Sequence, residues 1–349
     1  MKRWLQLAAA AVWVCTRAGL ADEAPAPDAA TRFRAFCAEL AGLGDGMTIA
    51  GKDGWLFLRN EIRHLGAGRF WGEEAARVSR AAKPELADPF DAIVDFHGQL
   101  ERLGIRLIVL PVPAKAVVYP EQLPDSPVPV GEDGLPSRLD MVHQEFYAAL
   151  HDCGVTVLDL LPALMQGRRD PAKPVFCRQD SHWSGQACVL AARQLADRIR
   201  KLDWYEGVPK TPFATTEEAV TVVGDLLAGV ADAAVRTETL TLRRVGDRPI
   251  EPDRDSPVLL MGDSHCLVFH AGGDMLAQGA GLADQLAAEL GFAVDLLGVR
   301  GSGARPARIA LYRRASQPGY IAKKRVVIWC FAAREFTEAD GWGKVPVVR

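Results

Sequence analysis

The chain has 349 residues, of which 49% are hydrophobic and 24% charged, and its formal net charge is -3. That length suits one large domain or two modest ones, with room for a sizeable core. The balance is ordinary for a globular protein, and it supplies no basic field of the kind that draws nucleic acid, so no nucleic-acid partner is expected.

Lys2 and Arg3 precede a short apolar run from Leu5 to Thr16, and Gly19-Leu20-Ala21 offers small residues where signal peptidase reads. Residues 1–21 are therefore expected to be a signal peptide, with a periplasmic mature chain starting at Asp22. Losing Lys2, Arg3 and Arg17 would take the charge from -3 to -6. The alternative is an uncleaved membrane anchor, but the run falls short of the roughly 20 residues a span needs. Val14 before Cys15 argues against lipid attachment there. Without Cys15, the cysteines are Cys37, Cys153, Cys177, Cys188, Cys266 and Cys330. An exported chain permits disulfides among them, and buried free thiols are an equal alternative.

Asp22 to Asp28 is rich in Ala and Pro and reads as a flexible lead-in. Gly51-Lys52-Asp53-Gly54 reads as a turn before the apolar run Trp55 to Leu58. Ile93, Phe96, Leu100 and Leu103 recur at helical spacing, Gly104 stops the helix, and Ile105 to Val112 follows as a buried strand. Val142, Phe146, Leu150 and Cys153 mark another helix, with Gly154 at its end and Val155 to Leu158 as the next strand. Ser184 is placed to cap a helix through Cys188, Ala192, Leu195, Ile199 and Leu202. Asp203 to Asp255 shows no clear period and is expected to hold irregular excursions. Val258 to Met261 is a short apolar run typical of a central parallel strand. A helix through Leu282, Leu286 and Leu290, a strand over 292–297, a helix from about Pro306 and a strand over 326–331 complete the order. Helices alternating with apolar strands predict an α/β fold with a mostly parallel sheet covered on both faces.

Three segments could carry chemistry. Gly262-Asp263-Ser264 follows the apolar strand, and sites in open parallel sheets form at the carboxyl ends of strands. A serine on such a turn presents its hydroxyl, and the preceding glycine relieves crowding. The tripeptide alone is common in plain turns. The second segment, Arg178 to Ser184, holds Asp180 and His182 two residues apart. A serine nucleophile needs a base, usually imidazole, and a carboxylate to orient it. Trp183 beside them could wall the site or stack on a sugar. The third segment, Val299 to Ala304, places Arg300, Gly301, Ser302 and Gly303 between a strand and a helix, where amides could hold an oxyanion. A zinc site drawn from Cys177, Asp180, His182, His265, Cys266 and His270 would lack any standard ligand spacing.

Taken together, these segments resemble one family. Gly51 to Phe57, Val112-Pro113-Ala114-Lys115, Asp180-Ser181-His182-Trp183, Gly262-Asp263-Ser264, Gly301-Ser302-Gly303-Ala304 and the stretch from Val327-Ile328-Trp329 to Arg334-Glu335 occur in the order found in alginate O-acetyltransferases of the AlgJ/AlgX type, which are SGNH-hydrolase-like proteins. The resemblance implies an SGNH-hydrolase-like three-layer α/β/α fold over 22–349. It also implies a catalytic triad of Ser264, His182 and Asp180. Gly301, Ser302, Gly303, Arg300, Trp183 and Arg334 are the matching candidates for substrate or oxyanion contact. The implied activity moves an acetyl group through an acetyl-serine to a polysaccharide acceptor such as alginate. The acetyl donor would come from a membrane-bound acyltransferase partner, with no cofactor and no metal. The family often carries Phe and Ser after the nucleophile, where this chain has His265 and Cys266. No C-terminal carbohydrate-binding module is evident. The alternatives are a carbohydrate acetyl esterase using the same residues and a non-catalytic polysaccharide-binding or scaffold protein of an export complex.

Overall fold

The computed structural model describes residues 28–230 and 237–348. The expected signal peptide, Cys15 and the lead-in up to residue 27 lie outside them. Helix α1 (Ala29–Gly42) starts behind Asp28, whose Oδ1 accepts the Thr31 amide at 2.7 Å. Strands β1 (Thr48–Ala50) and β2 (Leu56–Leu58) pair antiparallel around the glycine-flanked turn. That turn needs positive φ at Asp53 and Gly54, 49° and 78°. Then come α2 (Arg59–Gly66), the short α3 (Ala75–Val78) and α4 (Pro89–Arg102), which Asp88 caps and which buries Ala92, Ile93, Phe96 and Leu100 along one stripe.

The sheet begins with β3 (Arg106–Val112). Helices α5 (Lys115–Val118) and α6 (Met141–Asp152) lead to β4 (Thr156–Val157), and α7 (Leu161–Gly167) leads to α8 (Gly185–Ile199). The Ser184 hydroxyl caps α8, accepting the Gln186 amide at 3.2 Å. The stretch that showed no period contains an antiparallel pair, β5 (Thr215–Val222) and β6 (Glu238–Val245). The chain returns to the sheet with β7 (Val258–Gly262), followed by a small hairpin of β8 (Ala271–Gly272) and β9 (Met275–Gln278). The remaining elements are α9 (Leu282–Leu290), β10 (Asp295–Gly298), α10 (Arg305–Ala315), β11 (Val326–Ala332) and α11 (Glu335–Glu338). Pairing in β10 starts at Asp295, later than the apolar run predicts: Phe292 and Val294 pack into the core, and the Val294 carbonyl accepts the Asp253 amide at 3.1 Å.

The central sheet has the order β10-β7-β11-β3-β4, and every pair in it is parallel. Alternation along each strand divides the core in two. Ile108, Leu110, Val258, Leu260 and Ile328 face α1, α8 and α9, whereas Leu107, Val109, Leu259, Met261 and Trp329 face α4, α6 and α10. This is the expected three-layer α/β/α arrangement. All six cysteines among the described residues are free thiols, five of them buried. No helix of the described residues is long and apolar enough to cross a membrane.

Candidate active site

Gly262 ends β7 with φ 154°, and a Cβ there would lie 1.5 Å from the Cys330 carbonyl oxygen of β11. Only glycine lets the two strands stay paired at this point while the chain turns out of the sheet. Asp263 then caps a single turn over 264–266. Its Oδ1 accepts the His265 amide at 2.9 Å, and its Oδ2 accepts the Ala332 amide at 2.7 Å. Ser264 is thereby set at the carboxyl end of β7, partly exposed beside buried neighbours. Burial alone would raise the Asp263 carboxyl, but the adjacent His265 and Arg334 hold it well below the usual carboxylate range.

The second segment is a loop pinched by an antiparallel bridge between Phe176 and Trp183. Within it, Asp180 Oδ1 accepts the His182 backbone amide at 2.9 Å and meets His182 Nδ1 at 2.6 Å. His182 Nε2 stands 2.7 Å from Ser264 Oγ, 82 residues away in sequence. The three residues singled out in the sequence therefore form one continuous hydrogen-bonded row. Burial pulls the His182 imidazolium down, but the Asp180 bond and charge more than compensate and lift it above its ordinary value. Burial acts on Asp180 in the opposite sense, and its bond to His182 prevails, holding it below the usual carboxylate range. A neutral imidazole receiving a proton from Ser264 would thus be stabilised as the cation.

Asp225 and Lys115 complete the loop's support, a role that no local sequence pattern assigns to either. The Asp225 amide donates to Asp180 Oδ2 at 3.0 Å, and its carboxylate accepts the Ser181 amide and hydroxyl at 2.7 and 2.6 Å. Gly224 permits this approach, since a Cβ there would lie 2.0 Å from the Gln179 carbonyl oxygen. Lys115, fully buried, donates to the carbonyls of Leu56, Arg178 and Asp180. The Val-Pro-Ala-Lys segment flagged the lysine, but its acceptors are about 60 residues away in sequence.

The remaining candidates divide. Gly303 packs against the turn, with its would-be Cβ 2.8 Å from the Asp263 nitrogen. Ser302 donates its hydroxyl to the buried Glu335 carboxylate. Burial, with the Asp263 charge nearby, pushes Glu335 up to about 7. Gly301 takes φ 94° in open space. Arg300 points along the surface to Asp274, at 2.7 Å. Arg334 bonds to Glu61 at 3.3 Å behind the turn. Trp183 corrects the expectation of a sugar platform. Its ring is fully buried, because the bridge to Phe176 turns it inward, and it packs edge-on to His265 at 5.7 Å. His265, the departure from the family pattern, is also buried, with Nδ1 3.1 Å from Asp263 and its ring 4.9 Å from that of His182.

The zinc set is not gathered. Cys177 donates to the Trp183 carbonyl, Cys266 to the Cys330 carbonyl, and His270 pairs with Asp284 at 3.0 Å. Among the described residues, the one group with ligand atoms close enough to share an ion is Asp180, His182 and Asp225. The hydrogen bonds above account for each of its members.

Comparison with known proteins gives the family of the chain. The probable alginate O-acetylase AlgJ of Pseudomonas aeruginosa is 30% identical over 181 residues, 52% of this chain and 40% of that protein. That of Pseudomonas fluorescens is 29% identical over 229 residues, 62% of this chain and 52% of that protein. The chain thus spans about half or less of the length of these relatives. In fold it is similar to the O-acetyltransferase domain of Pseudomonas putida AlgJ, with TM-score 0.61 and 22% identity over 84% of this chain and 93% of that one. It is also similar to Pseudomonas aeruginosa AlgX, with TM-score 0.55 and 16% identity over 83% and 66%. The model of the SGNH hydrolase-like domain of acetyltransferase AlgX matches residues 48–333, and the chain belongs to that family.

Proposed function

We propose that the chain is a polysaccharide O-acetyltransferase that works through an acetyl-serine. The observation that carries this reading is the row Asp180, His182, Ser264 at 2.6 and 2.7 Å, at the carboxyl end of a central parallel strand. His182 Nε2 takes the Ser264 hydroxyl proton as Oγ attacks the donor's acetyl carbonyl. The imidazolium, stabilised by Asp180, returns that proton to the departing oxygen, leaving acetyl on Oγ. A sugar hydroxyl then gives its proton to His182 and attacks the same carbonyl, and Ser264 leaves with the proton. The His265 amide is committed to Asp263. The oxyanion is assigned to the Ser264 amide with that of Gly303, which packs against the same turn, its would-be Cβ 2.8 Å from the Asp263 nitrogen.

The acceptor is proposed to be an exported polysaccharide such as alginate, in keeping with the names of the relatives. A cleft of about 330 Å³, lined in part by Asp53, Arg178, Gln179 and Glu238, opens on the outer side of the Arg178 to Ser184 loop, and Ser264, His182 and Asp180 are not among its lining residues. Export to the periplasm rests on residues 1–21, and delivery of acetyl by a membrane-bound acyltransferase rests on the family resemblance alone. If water replaces the sugar, the same residues make an acetyl esterase. The test is to supply p-nitrophenyl acetate with and without oligouronate and to weigh the products. Acetylated oligosaccharide supports transfer, whereas free acetate alone, unchanged by the acceptor, supports the esterase.

A further inference from the structure

Lys115 lies at the start of α5, and its side chain is 0% exposed. Its ammonium has three N–H donors and three backbone acceptors: the carbonyls of Leu56 at 2.7 Å, Arg178 at 3.2 Å and Asp180 at 2.7 Å. No ion pair among the described residues includes it. An ammonium without a bound carboxylate costs several kcal/mol to bury, and an apolar side chain of that size would pack at no such cost. Core filling therefore does not account for a lysine here. Its acceptors point to what it does. The Arg178 and Asp180 carbonyls lie on the two sides of the Asp180 Cα, and only Ser181 separates Asp180 from His182. The third carbonyl belongs to β2, which the loop also touches through the Leu56 amide, bonded to the Arg178 carbonyl at 2.8 Å. Asp225 secures the outer side of the same loop through Asp180 Oδ2.

We propose that Lys115 is a positioning residue for acyl transfer: its ammonium fixes the backbone on both sides of Asp180, so that the carboxylate stays seated on His182. The inference rests on the reading of Ser264, His182 and Asp180 as the reacting row. It concerns rate rather than substrate affinity, because Lys115 is fully buried and its donors are engaged by backbone carbonyls. A shift of the loop by about 1 Å costs on the order of 10²-fold in rate.

The test uses the full chain, p-nitrophenyl acetate as probe and Lys115→Met, which keeps the length and loses the donors. The expected result is a fall of roughly 10²-fold in the rate of Ser264 acetylation, with KM changed less than about twofold and thermal unfolding still cooperative. In the proton NMR spectrum, the low-field imidazole N–H signal that disappears in Asp180→Asn should also weaken or move. Lys115→Gln, which retains two donors, should fall between wild type and Lys115→Met. A folded Lys115→Met or Lys115→Gln protein that acetylates at the wild-type rate overturns the proposal. So does a rate loss carried wholly by KM with the imidazole signal unmoved, or a failure of both variants to fold, which would assign Lys115 to stability alone. Ser264→Ala run in parallel separates this from the triad reading. If Ser264→Ala stays active, that reading fails. If it is dead while Lys115→Met is unimpaired, only the role of Lys115 fails.

Discussion

Replacing Gly262 by alanine tests how the sheet sets Ser264. The new Cβ would lie 1.5 Å from the Cys330 oxygen, 2.6 Å from its carbonyl carbon and 3.0 Å from Cys266 Sγ. No rotamer relieves this, since Cβ is fixed to the backbone and the nearest atoms are backbone too. The residue would also keep φ near 154°, a conformation L residues avoid at about 1–3 kcal/mol. Forcing β7 from β11 adds an overpacking cost of about 1–3 kcal/mol. Together these come to about 4 kcal/mol, a large part of the roughly 5–15 kcal/mol that holds a domain folded. Gly301→Ala is the control. It carries the positive φ of 94° but meets no atom within 4 Å, so only the backbone term, about 2 kcal/mol, applies. Thermal unfolding of both variants measures the difference. At about 2–4 °C per kcal/mol, Gly262→Ala should melt several degrees below Gly301→Ala. It should also lose ester turnover, because Ser264 is two residues on. Equal melting temperatures would refute the claim that strand contact, rather than backbone angle alone, requires glycine at 262.

Asp180→Asn removes the partner that lifts His182, so the acid limb of kcat/KM should move to lower pH while the maximal rate falls. In serine proteases the corresponding exchange costs about 10⁴, the order expected here. An unmoved limb would separate Asp180 from His182. Gly224→Ala should push Asp225 off Asp180 through the 2.0 Å contact with Gln179. A kcat loss of about tenfold or more, larger than that of Asp225→Ala, checks it. Glu335 has its carboxyl raised from 4.5 to about 7. Folding therefore loses stability as pH rises from 4.5 through 7, by roughly 3 kcal/mol at most. Glu335→Gln should be more stable than wild type at pH 8, with the advantage vanishing near pH 4. A pH-independent difference in urea unfolding would contradict this.

The sequence exposed what local pattern encodes. The stripe Ile93, Phe96, Leu100 with Gly104, the Ser184 cap and the apolar run Val258 to Met261 with Gly262 after it were legible because spacing and turn chemistry act within a few residues. Asp180 and His182 could be paired because a carboxylate two residues from an imidazole reaches it within one loop. The β5–β6 pair was not legible: Thr215 to Val222 is mostly exposed and polar, so it lacks the alternation that marks a half-buried strand. For Trp183 the sequence left a wall of the site and a sugar platform open, and burial removes only the platform. An aromatic beside a histidine suggests a sugar platform, but the bridge to Phe176 decides which way it faces. Asp225, Glu335 and the acceptors of Lys115 are 33 to 65 residues from the partners they serve, so only the folded chain brings them together.

The central claim is that Ser264 carries the acetyl group. Mass spectrometry of the protein quenched in acid after brief exposure to p-nitrophenyl acetate, followed by peptide mapping, tests it most directly. One added acetyl group is expected on the peptide containing Ser264. Loss of that label is expected in Ser264→Ala and His182→Ala, as is its discharge when a sugar acceptor is added. An acetyl group found elsewhere, or undiminished labelling in Ser264→Ala, would contradict the claim.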